Sequence, residues 1–293
     1  MTMYGKKIVL EVGEGIRFVT REEDGTFYIK AVNNKQYVGA EHPPIPDGFE
    51  YVEGEKADGF VIRNTADGSE FTWLPVDMLE PNGTLDGENF CEKFGRRNFC
   101  NQNFSQDGYH ESVNLELLAS VKKYGGCYFP RYVASKENGK PVFKKDKKPW
   151  VNINYHDASA QARAYAEARD DIGSCEVCGA AWDSIMQWLI QTTKTKAEVA
   201  ENSTSWGNYG NTPNPLRKVV KTGYWSEWEV NHIDGLAGNV DEWTSEQYGE
   251  SRRVLRGGSY FDDGNAWPAA RRYNEDPFYV CDDTGFRLLL YIK

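Results

Sequence analysis

The chain has 293 residues, 40% hydrophobic and 27% charged, enough apolar surface to pack one large domain or two unequal ones, which excludes a disordered or collagen-like chain. Against 44 Asp and Glu stand 34 Lys and Arg, a net charge of −10, and such a field repels phosphate backbones and anionic lipid, so nucleic acid is not an expected partner. Nowhere do about 18 apolar residues run together, and Lys6-Lys7 precede only Ile8-Val9-Leu10; we therefore expect synthesis in the cytoplasm without a signal peptide and no membrane insertion.

Residues 7–12, 16–20 and 26–31 read as short strands, with Glu23-Asp24-Gly25 as a turn. The stretch 41–59 carries Pro43, Pro44, Pro46, Gly48, Gly54 and Gly59 among charges and suits a linker. A boundary near residue 57 divides the chain into a small β module, 1–56, and a larger domain, 57–293. Apolar arms at 60–64 and 71–75 flank Asp67-Gly68 and predict a hairpin. Val113, Leu117, Leu118 and Val121 recur at three to four with Gly125 as a stop, which predicts a helix, and 127–134 reads as a strand. Asp157 is placed to cap a helix over 158–168, and Ala181, Trp182, Ile185, Met186, Leu189 and Ile190 mark another, both expected on one sheet. After about residue 195 the composition turns to Gly, Asn, Ser, Thr and Trp, with short strands at 254–255 and 286–292 between loops of the kind that serve binding.

Six cysteines are sparse and irregular, which points to a reducing compartment. Cys175-Glu176-Val177-Cys178 is a C-x-x-C; together with Cys91 and Cys100 it offers four thiolates to a structural zinc, although the eight residues between Cys91 and Cys100 exceed the usual knuckle spacing. A disulfide or redox pair and free structural thiols are the alternatives. No G-x-x-x-x-G-K-[ST], H-E-x-x-H or G-x-S-x-G occurs, and Lys144, Lys145, Lys147 and Lys148 beside Asp146 read as a solvated loop.

Two C-terminal strings are informative together: Gly238-Asn239-Val240-Asp241-Glu242-Trp243-Thr244, and Arg253-Val254-Leu255-Arg256-Gly257-Gly258-Ser259-Tyr260 followed by Ala269-Ala270-Arg271-Arg272 and Gly285-Phe286-Arg287. With Pro130-Arg131-Tyr132-Val133-Ala134, Trp150-Val151-Asn152-Ile153 and Gly179-Ala180-Ala181-Trp182-Asp183 upstream, the order resembles the formylglycine-generating enzyme and sulfatase-modifying factor family. The resemblance covers roughly 57–293 and implies an α+β, C-type-lectin-type fold, with the small N-terminal β module outside it. Read from the residues alone, Gly257-Gly258 permits close backbone approach, and Arg256 and Arg287 offer planar forks to carbonyls or to Asp241 and Glu242. Some members of the family hold calcium around this motif, which makes Asn239 and Glu242 candidate calcium ligands, although they fall short of the six to eight oxygens that ion takes.

The oxidases of that family carry a cysteine pair just after Gly-Gly-Ser that binds copper. Here the segment is Tyr260-Phe261-Asp262-Asp263-Gly264-Asn265-Ala266-Trp267, and by counting the thiolate positions fall at or near Asp262 and Trp267, neither a soft copper ligand. Related iron-dependent sulfoxide synthases add a helical domain with three histidines, whereas this chain has only His42, His110, His156 and His232, scattered. No catalytic residues and no cofactor are expected.

Between 260 and 283 stand Tyr260, Phe261, Asp262, Asp263, Asn265, Trp267, Tyr273, Asn274, Asp276, Phe278 and Tyr279. Rings give rigid contact area while Asn and Asp give adaptable hydrogen bonds, the mixture of a binding face. Arg-Gly-Gly-Ser, this loop and the terminal Gly-Phe-Arg-Leu-Leu-Leu-Tyr-Ile resemble the variable proteins of diversity-generating retroelements, in which adenine-directed mutagenesis diversifies such a face. All the residues named except Trp267 are ones that changes at the two adenines of an asparagine codon yield. The resemblance implies a non-catalytic ligand-binding protein, of phage or prophage receptor-binding or displayed type and thus virion-associated in the former case, that takes a protein or glycan on a target cell surface. The alternative is a formylglycine-generating-type copper oxidoreductase with displaced ligands, for which Cys281 is the nearby thiol.

Overall fold

A computed structural model describes residues 16–21, 27–31, 42–81, 93–213 and 215–293, the first two segments as backbone only. In chain order the strands are β1 (Ile16–Arg21), β2 (Phe27–Ala31), β3 (Phe49–Glu53), β4 (Val61–Asn64), β5 (Glu70–Leu74), β6 (Tyr109–His110), β7 (Cys127–Pro130), β8 (Ser135–Glu137), β9 (Lys140–Val142), β10 (Ile172–Glu176), β11 (Glu229–Val230), β12 (Ile233–Asp234), β13 (Asp241–Tyr248), β14 (Arg252–Arg256), β15 (Tyr273–Glu275), β16 (Thr284–Phe286) and β17 (Leu288–Ile292). The helices are α1 (Leu115–Tyr124), α2 (Tyr155–Ala164), α3 (Gly179–Thr192) and α4 (Lys196–Ala200).

Six strands in the order β10-β17-β7-β5-β4-β3 form an antiparallel sheet that brings the C-terminal strand to its interior. Successive side chains of a strand point to opposite faces, and β17 uses both. Leu288 and Leu290 join the apolar cluster of Trp73, Tyr128, Ala158 and Ala162 under α2, whereas Leu289 and Tyr291 join that of Leu117, Trp182, Ile185 and Leu189 under α1 and α3. The two long helices of the middle region thus cover opposite faces of one sheet. A second sheet, β15-β14-β13-β16 with β6 beside β13, includes a parallel pairing of β13 with β16.

Local chemistry accounts for the helix ends. Asn114 accepts from the Glu116 and Leu117 N–H groups at the start of α1, and Gly125 closes it in the left-handed conformation, φ 81°. α2 begins earlier than expected: its cap is Asn154, whose side chain accepts from the Asp157 N–H, so Asp157 is a first-turn residue. Cys178 caps α3 by accepting from the Ala181 N–H. α4, which the change of composition at 195 obscured, is held by a capping box between Thr195 and Glu198.

The stretch expected as a linker is in part strand. β3 pairs with β4 in the six-stranded sheet, Pro43, Pro44 and Pro46 are buried, and the Tyr128 hydroxyl donates to the Pro44 carbonyl at 2.9 Å. The body of the larger domain therefore begins ahead of the expected boundary at 57. β1 and β2, near the strands expected at 16–20 and 26–31, pair antiparallel with a shift of register, while the strand expected at 7–12 and the turn at 23–25 lie outside the described residues. The strand expected over 127–134 stops at Pro130, and that expected over 286–292 is interrupted at Arg287, whose side chain turns inward.

Candidate ligand-binding face

Behind the C-terminal loops lies a buried ionic network that uses Asp183, Glu242, Arg256, Arg272 and Arg287 of the strings quoted above. Arg256 of β14 and Arg272 both bond the Asp183 carboxylate of α3, and Arg272 Nε lies 2.9 Å from Glu246 Oε1 of β13, which Arg96 Nη1 also meets at 3.1 Å. All five members of this centre, Arg96, Asp183, Glu246, Arg256 and Arg272, are buried. Burial alone would raise the Asp183 carboxyl, but the two guanidiniums hold it below its ordinary value. Arg287 meets Glu242 Oε1 at 3.1 Å and donates to the Asp234 carbonyl. The arginines are scaffold, as their planar forks suggested, although Arg256 takes Asp183 and not Asp241 or Glu242.

In front of this network is a cavity of about 170 Å³ lined by Asp241, Leu255, Asp262, Trp267, Tyr273, Tyr279, Asp283 and Thr284. Its walls come from β13, β14, β15 and β16 and from the loops between β14 and β15 and between β15 and β16. Gly258, at φ 74°, turns the chain over the cavity; a Cβ there would lie 2.9 Å from the Trp267 carbonyl oxygen, so only glycine fits. The next turn is fixed by Asp262, which accepts from both the N–H and the hydroxyl of Ser259 at 2.8 and 2.9 Å. A loop from 203 to 213 props the outer edge: Tyr209 donates to the Gly257 carbonyl at 2.8 Å, and Asn211 donates to Asn265 Oδ1 at 2.7 Å.

Three carboxylates face this small space. Burial, with Asp262 and Asp283 close by, pushes Asp241 well above the usual carboxylate range, and burial raises Asp262 as well. Cys281 is raised by burial and by its bond to Asp283; Tyr279 is raised by its bond to Cys281, and Tyr273 is pushed up to about 12 by its bond to Glu275. Burial thus makes Asp241 and Asp262 ionise less readily than exposed acids do.

Of the eleven residues expected on the face, Asp262, Trp267, Tyr273 and Tyr279 line the cavity. Trp267 packs edge-on to Tyr273 at 5.0 Å under the Arg271 guanidinium, and Tyr260 is half-buried against Phe261. Among the described residues Phe261 and Phe278 are the most exposed large hydrophobics, at 79% and 71%, and Phe278 rests on the His156 ring of α2 at 4.7 Å. Asp263, Asn265 and Asp276 are exposed, and Asn274 accepts from Arg252 at the edge of β15. Asp241, Leu255, Asp283 and Thr284 were missed. The signal for Asp241 is strand alternation: beside Glu242, which turns inward to Arg287, its own side chain must take the opposite face.

The candidate metal ligands are otherwise engaged. Asn239 accepts from the Val220 N–H at 2.9 Å and from Asn208 Nδ2 at 3.0 Å, pinning the segment 217–222, and Glu242 already faces a guanidinium. Cys175 and Cys178 are buried in the apolar cluster under α3, and burial raises both thiols well above their ordinary value; Cys100, half-buried, is raised to about 11, and Cys91 lies outside the described residues. Among the described residues the one close group of potential metal donors is Cys281, Asp282 and Asp283, whose ligand atoms lie within 4.8 Å of one another. Also among the described residues, no helix is long and apolar enough to cross a membrane.

Residues 102–292 match the sulfatase-modifying factor enzyme 1-like domain, more than half of the chain, and the chain belongs to this family. Its fold is the α+β, C-type-lectin-type fold that the motif order implied. No curated protein matches it in sequence. Solved structures similar to it include CarF, 19% identical with a TM-score of 0.40 over 58% of this chain and 76% of that one. Treponema denticola variable protein 1 is 16% identical with a TM-score of 0.42 over 84% and 99%, and PvdO from Pseudomonas aeruginosa is 12% identical with a TM-score of 0.44 over 57% and 81%.

Proposed function

We propose that the chain is a non-catalytic ligand-binding protein, of the diversity-generating retroelement variable type, whose C-terminal face recognises a protein or glycan on a target cell surface. The observation that carries this reading is the cavity itself. By counting along the chain, the positions of the two soft thiolates that the family's oxidases need fall at or near Asp262, which is tied to Ser259, and Trp267, which packs on Tyr273, both lining this cavity. Copper in that chemistry needs thiolate donors. Cys281 is a single thiol whose raised pKa favours the protonated form, so the residues present do not fit the metal. Two largely exposed phenylalanines beside a small polar cavity serve instead as contact area that a partner would desolvate.

A second reading, an oxidoreductase with displaced ligands, is favoured by the proximity of Cys281, Asp282 and Asp283. Titration with copper(I) against a competing chelator separates the two. The binding reading predicts no tight stoichiometric site and the same curve for Cys281→Ala; tight one-to-one binding that disappears in Cys281→Ala supports the oxidoreductase.

A further inference from the structure

We infer that a second site, on the loops 143–149 and 217–228, takes an acidic glycan, with negatively charged sugar residues stacked on Tyr224 and Trp225. Tyr224 is 46% and Trp225 39% exposed, and both rest on one buried ring, Trp228, at 6.1 Å and 4.7 Å between centroids. They also touch each other at 5.3 Å. Two exposed rings over a rigid third lose little freedom on binding, and their faces accept a flat apolar surface or a cation.

The surroundings select charge. Thr222 joins the two loops: its N–H donates to the Lys147 carbonyl at 2.9 Å, its carbonyl accepts from the Asp146 N–H at 2.9 Å, and its hydroxyl accepts from the Lys147 N–H at 3.0 Å. At Gly223, next to Tyr224, an added Cβ would lie 2.6 Å from Lys145 Cγ, so the Lys145 stem runs against the start of the aromatic segment. Lys144 and Lys147 are paired with Glu137, but Lys145, Lys148, Arg217, Lys218 and Lys221 are exposed and make no salt bridge among the described residues. Five such cations outnumber the exposed acids of these loops, Asp146 and Glu227, on a chain whose net charge is −10. The excess attracts anions locally, against the field of the whole molecule.

A ligand that satisfies both features carries apolar ring faces and negative charge in alternation. Uronate, sialate and sulfated sugars do this in short stretches. A single-stranded nucleic acid offers bases and phosphates in the same way, but a long polyphosphate leaving the patch meets the acidic remainder of the surface, which favours the glycan. The segment is held in place from behind by Asn239 through Val220 and by Asn208 through the Lys218 carbonyl, so the patch is preformed. This site is built from residues other than those of the C-terminal face, although Asn239 touches both, accepting from the N–H groups of Val220 and Tyr260, and it does not rest on the function proposed for that face.

Calorimetric titration of the full chain with oligogalacturonate, a neutral cello-oligosaccharide and oligo(dT) tests the inference. The expected result is binding of oligogalacturonate that weakens as salt rises, with no measurable binding of the neutral chain and weaker binding of oligo(dT). Trp225→Ala is expected to weaken oligogalacturonate binding about tenfold and Lys145→Glu/Lys221→Glu at least as much, while thermal unfolding of both variants stays close to the parent and Phe261→Ala binds as the parent does. No binding of oligogalacturonate, equal binding of the neutral chain, tighter binding of oligo(dT), or dependence on Phe261 in place of Trp225 overturns it.

Discussion

Trp243 and Asn265 lie within 25 residues of each other in a loop-rich region, yet they do opposite work. Trp243 is 2% exposed, donates its indole N–H to the Ile153 carbonyl at 3.0 Å and packs edge-on to Tyr155. Its truncation to Ala removes buried area and leaves a cavity, so we expect a loss of about 3–5 kcal/mol in unfolding free energy by urea titration. Asn265 is exposed, and Asn265→Ala should cost under about 0.5 kcal/mol in the same assay. Equal losses would place the loop side chains in the core. Glu242 supplies a pH test. Burial lifts its carboxyl from 4.5 to about 7 despite Arg287, so the stabilisation associated with its neutral form is complete below about pH 4.5 and is lost as pH rises through about 7. Glu242→Gln lacks that titration, and its stability relative to the parent should rise between pH 4.5 and 7 and then level off. A flat difference across this range would mean that Glu242 ionises normally.

At the scale of elements, the ionic centre binds α3 to β13, β14 and the chain at Arg272. Removing Asp183 leaves two buried guanidiniums with Glu246 as their remaining shared carboxylate, and breaking such pairs typically costs about 3–5 kcal/mol, so Asp183→Ala should lower the urea midpoint by a large fraction of the total stability. A change as small as that of Asn265→Ala would show the network to be dispensable. The strings that hold Asp183, Arg256 and Arg272 were legible in sequence as a family pattern, but the pairing was not. Asp183 lies 73 positions before Arg256, whereas Asp241 and Glu242 are much nearer, and only the packing of α3 on the sheets decides between them. Helix stripes and the Gly125 stop were readable because periodicity and capping are local. Residues 49–53 were not, since the prolines and glycines around them mask a strand that exists only through its pairing with β4. The same holds for α2, where Asn154 and Asp157 are both good caps and the tertiary start of the helix chose Asn154.

For the whole molecule, residue type alone pointed to Asp262, Trp267, Tyr273 and Tyr279, which line the cavity, because rings with Asn and Asp in a terminal loop are chemically distinctive. The inner wall was hidden: Asp241, Asp283 and Thr284 enter the cavity through the parallel pairing of β13 with β16, a long-range arrangement with no local trace. The burial of Asp241 and Asp262 also changes what the acids do, since groups held toward neutrality steer a basic partner less than their number suggests. Recognition should therefore rest on the rings. The most direct measurement is the affinity of the parent and of Phe261→Ala, Trp267→Ala, Phe278→Ala and Tyr279→Ala for a partner captured from a panel of bacterial surface proteins and glycans. Each truncation should cost roughly 1–4 kcal/mol of binding while leaving the fold intact; a partner bound equally well by all four variants would place recognition elsewhere and contradict the account.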